Sequence, residues 1–280
     1  MATQRTLPAD TALGRIALRV ADIQATVDFY RDVVGFATHS RTDDRAALGV
    51  GGDALLELHA SPGADERRGA GLFHAAIRYP TRDALGGALG RVRDRWHLDG
   101  AADHGVSEAL YLTDPDGNGV ELYRDRPRDA WPTAPDGRVR MGTEPLDIGG
   151  IAEAADGEPD APAGTDVGHV HLEVTDLERA RGFYVETLGL DVRQAMGDAA
   201  LFLAAGDYHH HVGLNTWNGR TARASGRGLT WFELRVPEPE AIVAARERFA
   251  DVGVAVVDRP DGIEMADPDG IRLRLVADSS

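Results

Sequence analysis

The 280-residue chain contains no cysteine. That excludes a disulfide framework and thiolate chemistry, so protein ligands for any metal must come from His, Asp or Glu. Lysine is absent as well. All 30 basic residues are Arg, set against 46 acidic ones, for a formal net charge of −16. No basic face for a nucleic acid is therefore expected. The acidity reads first as solubility and more sharply as a halophilic trait, a dense carboxylate surface that stays hydrated at high salt. No apolar run approaches the length that spans a bilayer, so no membrane partner is expected. Residues 1–5 lead into no apolar signal core, which points to a cytoplasmic protein. No phosphate-cradling glycine loop or nucleophile elbow is present, so no nucleotide cofactor is implied. What the chain does have is 42% hydrophobic residues and the length for two domains of ordinary size.

It also has an internal repeat. Arg15-Ile16-Ala17-Leu18-Arg19-Val20-Ala21-Asp22 is echoed by His169-Val170-His171-Leu172-Glu173-Val174-Thr175-Asp176. Phe29-Tyr30 returns as Phe183-Tyr184, Gly35-Phe36 as Gly189-Leu190, and Asp114-Pro115-Asp116-Gly117 as Asp267-Pro268-Asp269-Gly270. Order and spacing are kept, so the halves are duplicates. Within each half the grammar is strand, helix, then short strands, twice over. Asp22 suits the N-cap of the helix carrying Val27, Phe29 and Tyr30, and Gly35 its end. The Asp-Pro-Asp-Gly copies read as tight turns rather than ion loops. Residues 1–126 and 166–280 form the two halves, and the Pro-, Gly- and Asp-rich 127–165 reads as a linker with one helical turn near Leu146-Ala154.

Four tandem βαβββ units resemble the vicinal oxygen chelate (glyoxalase/bleomycin resistance/dioxygenase) superfamily. The stretches Gly168-His169-Val170-His171-Leu172, Tyr208-His209-His210-His211-Val212-Gly213-Leu214-Asn215 and His104-Gly105-Val106-Ser107-Glu108-Ala109-Leu110-Tyr111 are similar to signatures of its two-domain catechol 2,3-dioxygenases. The resemblance covers nearly the whole chain except the tail and linker. It implies an α+β fold in which four βαβββ modules form two cupped, mixed β-sheet barrels with flanking helices.

In that superfamily metal ligands come from the first and last strands of paired units. The positions here are Arg15, His74, His169 and Trp231 on first strands, and Glu57, Glu121, His211 and Arg274 on last strands. Arg and Trp are not ordinary ligands, so units one and four drop out. Of the four that stay, His74, Glu121, His169 and His211, the resemblance makes the first three the strongest ligand positions, a 2-His-1-carboxylate set suited to Fe(II), with Mn(II) not distinguished by the donors. Units two and three should then make the working cup. A lone strand His is more often packed than ligating, but the matched repeat positions favour a site.

The resemblance further implies catechol and O2 as substrates and 2-hydroxymuconic semialdehyde as product. It gives His210 the acid–base role, a task for an imidazole near neutrality. If the segment continues its strand, His209 and His211 share one face and His210 takes the other. His104 and Tyr111 match residues that hydrogen-bond the bound oxygens. His171, His211, Asn215 and Trp217 are expected to line the substrate pocket, though packing alone would equally explain Trp217. Two other readings remain: a glyoxalase-type isomerase, which uses four protein ligands, and a non-catalytic small-molecule-binding protein. A homo-oligomer stays open, since four units complete two cups without a partner chain.

Overall fold

The computed structural model describes residues 6–135, 137–155 and 157–278. Each repeat folds as one βαβββ module. Module one is β1 (Ala12–Val20), α1 (Ile23–Phe29), β2 (Ala37–Arg41), β3 (Arg45–Val50) and β4 (Asp53–Ala60). Module two is β5 (Gly71–Arg78), α2 (Arg82–Arg95), β6 (Gly100–Asp103), β7 (Ser107–Thr113) and β8 (Gly119–Asp125). The linker carries the short α3 (Ile148–Glu153). Module three is β9 (Asp166–Glu173), α4 (Leu177–Arg181), β10 (Asp191–Met196), β11 (Ala200–Ala204) and β12 (Val212–Asn215). Module four is β13 (Gly228–Val236), α5 (Pro239–Asp251), β14 (Val256–Arg259), β15 (Gly262–Ala266) and β16 (Arg272–Ala277).

The local signals work as the sequence requires. Alternation in β1 buries Ile16, Leu18 and Val20 under the helices. The Asp22 carboxylate accepts from Ala25 N at 3.0 Å and Asp176 from Arg179 N at 2.9 Å, so both copies cap their helix. Both helices then widen into a π-helical turn, Tyr30–Val34 and Gly182–Thr187. The first ends at Gly35, whose φ of 90° is left-handed and where a β-carbon would meet Ala161 N at 2.7 Å.

The modules pair crosswise. One eight-stranded sheet runs β14-β15-β16-β13-β1-β4-β3-β2 and the other β10-β11-β12-β9-β5-β8-β7-β6. Each mixed sheet thus takes one module from each half of the sequence. The centre of the second is the antiparallel pair β5 and β9, with Ala76 opposite His169 and His74 opposite His171. The Asp-Pro-Asp-Gly turns are tight, as read, and they also tie the sheets together. Asp116 accepts from Ala21 N at the end of β1, and Asp269 from Thr175 N beyond β9. No helix among the described residues is long and apolar enough to cross a membrane. Residues 1–5, from which the leader reading came, lie outside the described residues.

Candidate metal centre and cavity

Strand register decides which side chains meet in the second sheet. β8 runs parallel to β5 with Glu121 beside Ala76, two residues past His74. Parallel pairing of β4 with β1 sets Glu57 beside Ala17, and of β16 with β13 sets Arg274 beside Glu233, with the same offset from Arg15 and Trp231. In module three the offset from His169 falls on His171, and its partner on β12 is Gly213. The last-strand position of that module is therefore Gly213, which corrects the assignment of His211. His211 also belongs to a loop, since β12 starts at Val212, and strand alternation does not apply to the three histidines. The His211 ring packs on Tyr208, and its Nδ1 accepts from Ala205 N at 3.3 Å, outside the cavity.

His74, Glu121 and His169 converge. Nε2 of His74 lies 2.9 Å and Nε2 of His169 3.2 Å from the same Glu121 oxygen, Oε2. All three residues are buried. Burial alone would raise the Glu121 carboxyl, but His169 and His74 hold it well below the usual carboxylate range. Burial pushes His169 down to about 4, against the pull of Glu121, so it is a neutral donor near pH 7. His74 Nε2 has no well-aligned hydrogen bond despite its burial, and Nδ1 of His169 and of His171 has none. Two imidazole nitrogens converging on one carboxylate oxygen, that of His74 with no hydrogen bond of its own, fit a bound divalent cation, which would also offset the buried charge.

His171 adds a third imidazole. Donor atoms of His74, His169 and His171 all lie within 4.8 Å of one another, the one such group among the described residues. Its ring stacks on His74 at 4.5 Å and fills the space that Gly213 leaves open. A β-carbon on Gly213 would sit 2.1 Å from His171 Nε2. Gly213→Ala is therefore expected to force the ring from its place among Phe73, Phe202 and Trp217, and to cost about 1–3 kcal/mol in chemical denaturation. An unchanged denaturation midpoint would mean that the ring moves freely.

The cavity beside these residues measures about 590 Å³, within the range of small-molecule sites. Glu121, His74, His169, His171 and His210 line one end, and Phe73, Val106, Phe202 and Trp217 give it apolar walls. Trp217 is half exposed at the mouth, whereas Asn215 is buried and lies outside the cavity lining. His104 Nδ1 lies 2.7 Å from Gly142 O, which can only accept, so Nδ1 carries the proton. Nε2 then accepts from the Tyr111 hydroxyl at 2.6 Å. Burial, followed by the Glu121 charge, keeps the Tyr111 phenol protonated. The linker is part of the site, which its composition did not announce. Met141 exchanges two main-chain hydrogen bonds with the Gln194 side chain, and Met141, Gly142 and Thr143 wall the cavity.

In the first sheet the matching place is filled by charge. Arg15, the copy of His169 in the repeat, bonds Glu57 at 2.9 Å and Glu233 at 2.7 Å. Arg274 lies over the Trp231 ring at 3.7 Å and bonds Glu264 at 2.9 Å. A guanidinium thus stands between carboxylates where the other sheet presents imidazoles.

The profile of the Glyoxalase/Bleomycin resistance protein/Dioxygenase superfamily matches residues 12–122 and 166–275. A Catechol-2,3-dioxygenase of Bacillus subtilis (strain 168) is 39% identical over 269 residues, 92% of this chain and 94% of that protein. Among solved structures, one from Bacillus subtilis superposes with a TM-score of 0.69 at 16% identity, covering 99% of this chain and 87% of that one. Glyoxalase I from Zea mays gives 0.58 at 20% identity, covering 96% and 92%. These two likenesses concern the fold alone.

Proposed function

The chain belongs to the glyoxalase/bleomycin resistance protein/dioxygenase superfamily, and from that premise we propose that it is an extradiol dioxygenase that opens the ring of catechol with O2 to give 2-hydroxymuconic semialdehyde. The observation that carries this reading is the convergence of His74, Glu121 and His169 at an apolar cavity whose fourth strand position is Gly213. Gly213 brings no side-chain donor to that position, and the His171 ring occupies the space it leaves. Support also comes from the 39% identity to a Catechol-2,3-dioxygenase.

His74, Glu121 and His169 would hold the divalent metal, Fe(II) or Mn(II) by donor type. When bound, the metal supplies the centre at which both catechol oxygens and O2 are held and activated. The chain's own residues do the rest. Phe73, Phe202 and Trp217 orient the ring and keep water from it. His210, made a neutral base by burial that holds its pKa well below the usual imidazole value, accepts a hydroxyl proton from the substrate and returns it. Tyr111, whose hydrogen is held by His104, leaves its oxygen lone pairs to accept from a substrate hydroxyl. The cavity exceeds a bare catechol ring, so alkyl- and aryl-substituted catechols belong in the test.

The test loads the protein anaerobically with Fe(II), and in parallel with Mn(II), then adds catechol in air. O2 uptake matched by a yellow ring-fission product is the expected result. Fully metallated protein that consumes no O2 with catechol or its substituted forms would sink the proposal.

A further inference from the structure

Two residues behind His210, on the side away from the cavity, have no part in the reading above. Asp125 ends β8. Its carboxylate accepts from Arg78 Nη1 at 3.1 Å and from the Tyr208 hydroxyl at 3.0 Å. His209 Nε2 lies 2.9 Å from Asp125 Oδ1, and His209 Nδ1 lies 2.7 Å from His210 Nδ1. His210 Nε2 is on the cavity side, 3.2 Å from His171 Nε2. The row Asp125–His209–His210 is continuous, and the His209 ring is wedged between Tyr208 and Trp131, with centroids 4.1 and 5.3 Å away.

Proton placement along the row follows step by step. A carboxylate paired with a guanidinium only accepts, so His209 Nε2 carries a hydrogen. For a neutral His209, Nδ1 is then a lone pair. The 2.7 Å contact requires a hydrogen on His210 Nδ1. What remains on His210 is a lone pair at Nε2, which accepts from His171 Nε2–H at 3.2 Å on the cavity side.

We propose that Asp125 and His209 are positioning residues that lock His210 in its Nδ1–H tautomer, so that the cavity-facing nitrogen is always the acceptor. When Nε2 takes the proton of a substrate hydroxyl, the O–H bond breaks and an N–H bond forms. The imidazolium so made donates through Nδ1–H to His209, whose own Nε2–H is held by the Asp125 charge. The catalytic consequence rests on the acid–base role given to His210 above, while the tautomer itself is independent of it.

The experiment is two-bond 15N–1H correlation NMR of the full chain, labelled at histidine and saturated with Zn(II), beside steady-state kinetics of the Fe(II)-loaded enzyme. His210 is expected to show a protonated Nδ1 and an unprotonated Nε2. In His209→Phe, which removes the acceptor and keeps the bulk, the His210 proton should move to Nε2 and kcat should fall by about 10–100-fold with little change in KM. His209→Asn places an amide oxygen near the former Nδ1 and should recover most of the rate. A wild-type spectrum with the proton on His210 Nε2, or with both nitrogens of His209 protonated, overturns the proposal. So does a folded His209→Phe whose His210 spectrum and kcat match the wild type. Should His209→Phe fail to fold, the wild-type spectrum and His209→Asn still decide. If no catechol is turned over, the spectrum reads the tautomer all the same, and the two readings fail separately.

Discussion

His74→Ala is expected to weaken divalent-metal binding by more than about 100-fold, beyond what loss of a supporting partner of a ligand costs, and to abolish O2-dependent turnover with it. His74 supplies one of two imidazole nitrogens aimed at Glu121 Oε2, and β5 fixes it at the centre of the sheet. Without it, one imidazole and one carboxylate remain from the set, and water entering the space left by the side chain is a weaker donor than imidazole. The measurement is chelator competition with Mn(II) or Co(II), followed by O2 uptake of the reloaded protein. Because the ring stacks on His171 and packs by Phe73, some loss of stability is expected too, so the variant's thermal unfolding is recorded beside it. Wild-type metal affinity in a folded His74→Ala protein would move the centre elsewhere, with His171 and the 209–211 loop the first places to look.

Acid should undo the metal-free protein well before its surface carboxylates are protonated. Burial holds His169 down to about 4 and His211 down to about 3. In the unfolded chain both would titrate near 6.5. A group with a depressed folded pKa contributes stability above its unfolded pKa and loses it as pH falls through the window toward the folded value. At pH 5 the unfolded chain gains about 1.5 pK units of protonation on each, which is about 2 kcal/mol apiece. His171 and His210, pushed down by burial in the same direction, add to this. The sum is a large part of an ordinary domain's stability. Asp114 and Asp267, raised to about 6 by burial, oppose it in part, since their stabilising protons are lost as pH rises through that value. Chemical denaturation at pH 7.5 and pH 5 checks the sign. Bound metal, which needs the same imidazoles deprotonated, should lower the pH of the transition. Equal stability at both pH values would mean that these rings take up protons without unfolding.

The repeat made much of this legible. Four strand–helix–strand units, two Asp N-caps and the Asp-Pro-Asp-Gly turns all have short-range causes, and each is where the sequence puts it. His74, Glu121 and His169 could be lined up because first and last strands recur at fixed offsets. The same logic failed at His211 for a physical reason. The copy of Val120-Glu121-Leu122 is Val212-Gly213-Leu214, and a glycine carries no chemical signal, so the histidine two residues away drew the assignment. Strand flanks the histidine run on both sides, which makes a continuous strand a natural expectation, whereas the run forms the loop that lets His209 and His210 bond ring to ring. Met141 and Gly142 gave no sign of their place on the cavity wall, since they reach it through main-chain atoms. Asp125 had no motif around it, and only the tertiary fold sets it behind His209.

Crosswise pairing has a consequence for the order in which the molecule can be built. Arg15 and Glu233, bonded across β1 and β13, stand 218 positions apart in the chain. During synthesis module one appears first, yet its central edge must wait for the last module, exposing unpaired backbone for as long as the ribosome takes to reach it. Module two finds its partner in module three, the next to emerge. The sheet that carries His74, Glu121 and His169 can therefore close while module four is still unmade, and the sheet held by arginine and glutamate closes last. Birth order thus favours the chemistry-bearing sheet, with its older neighbour left open until the chain is nearly complete.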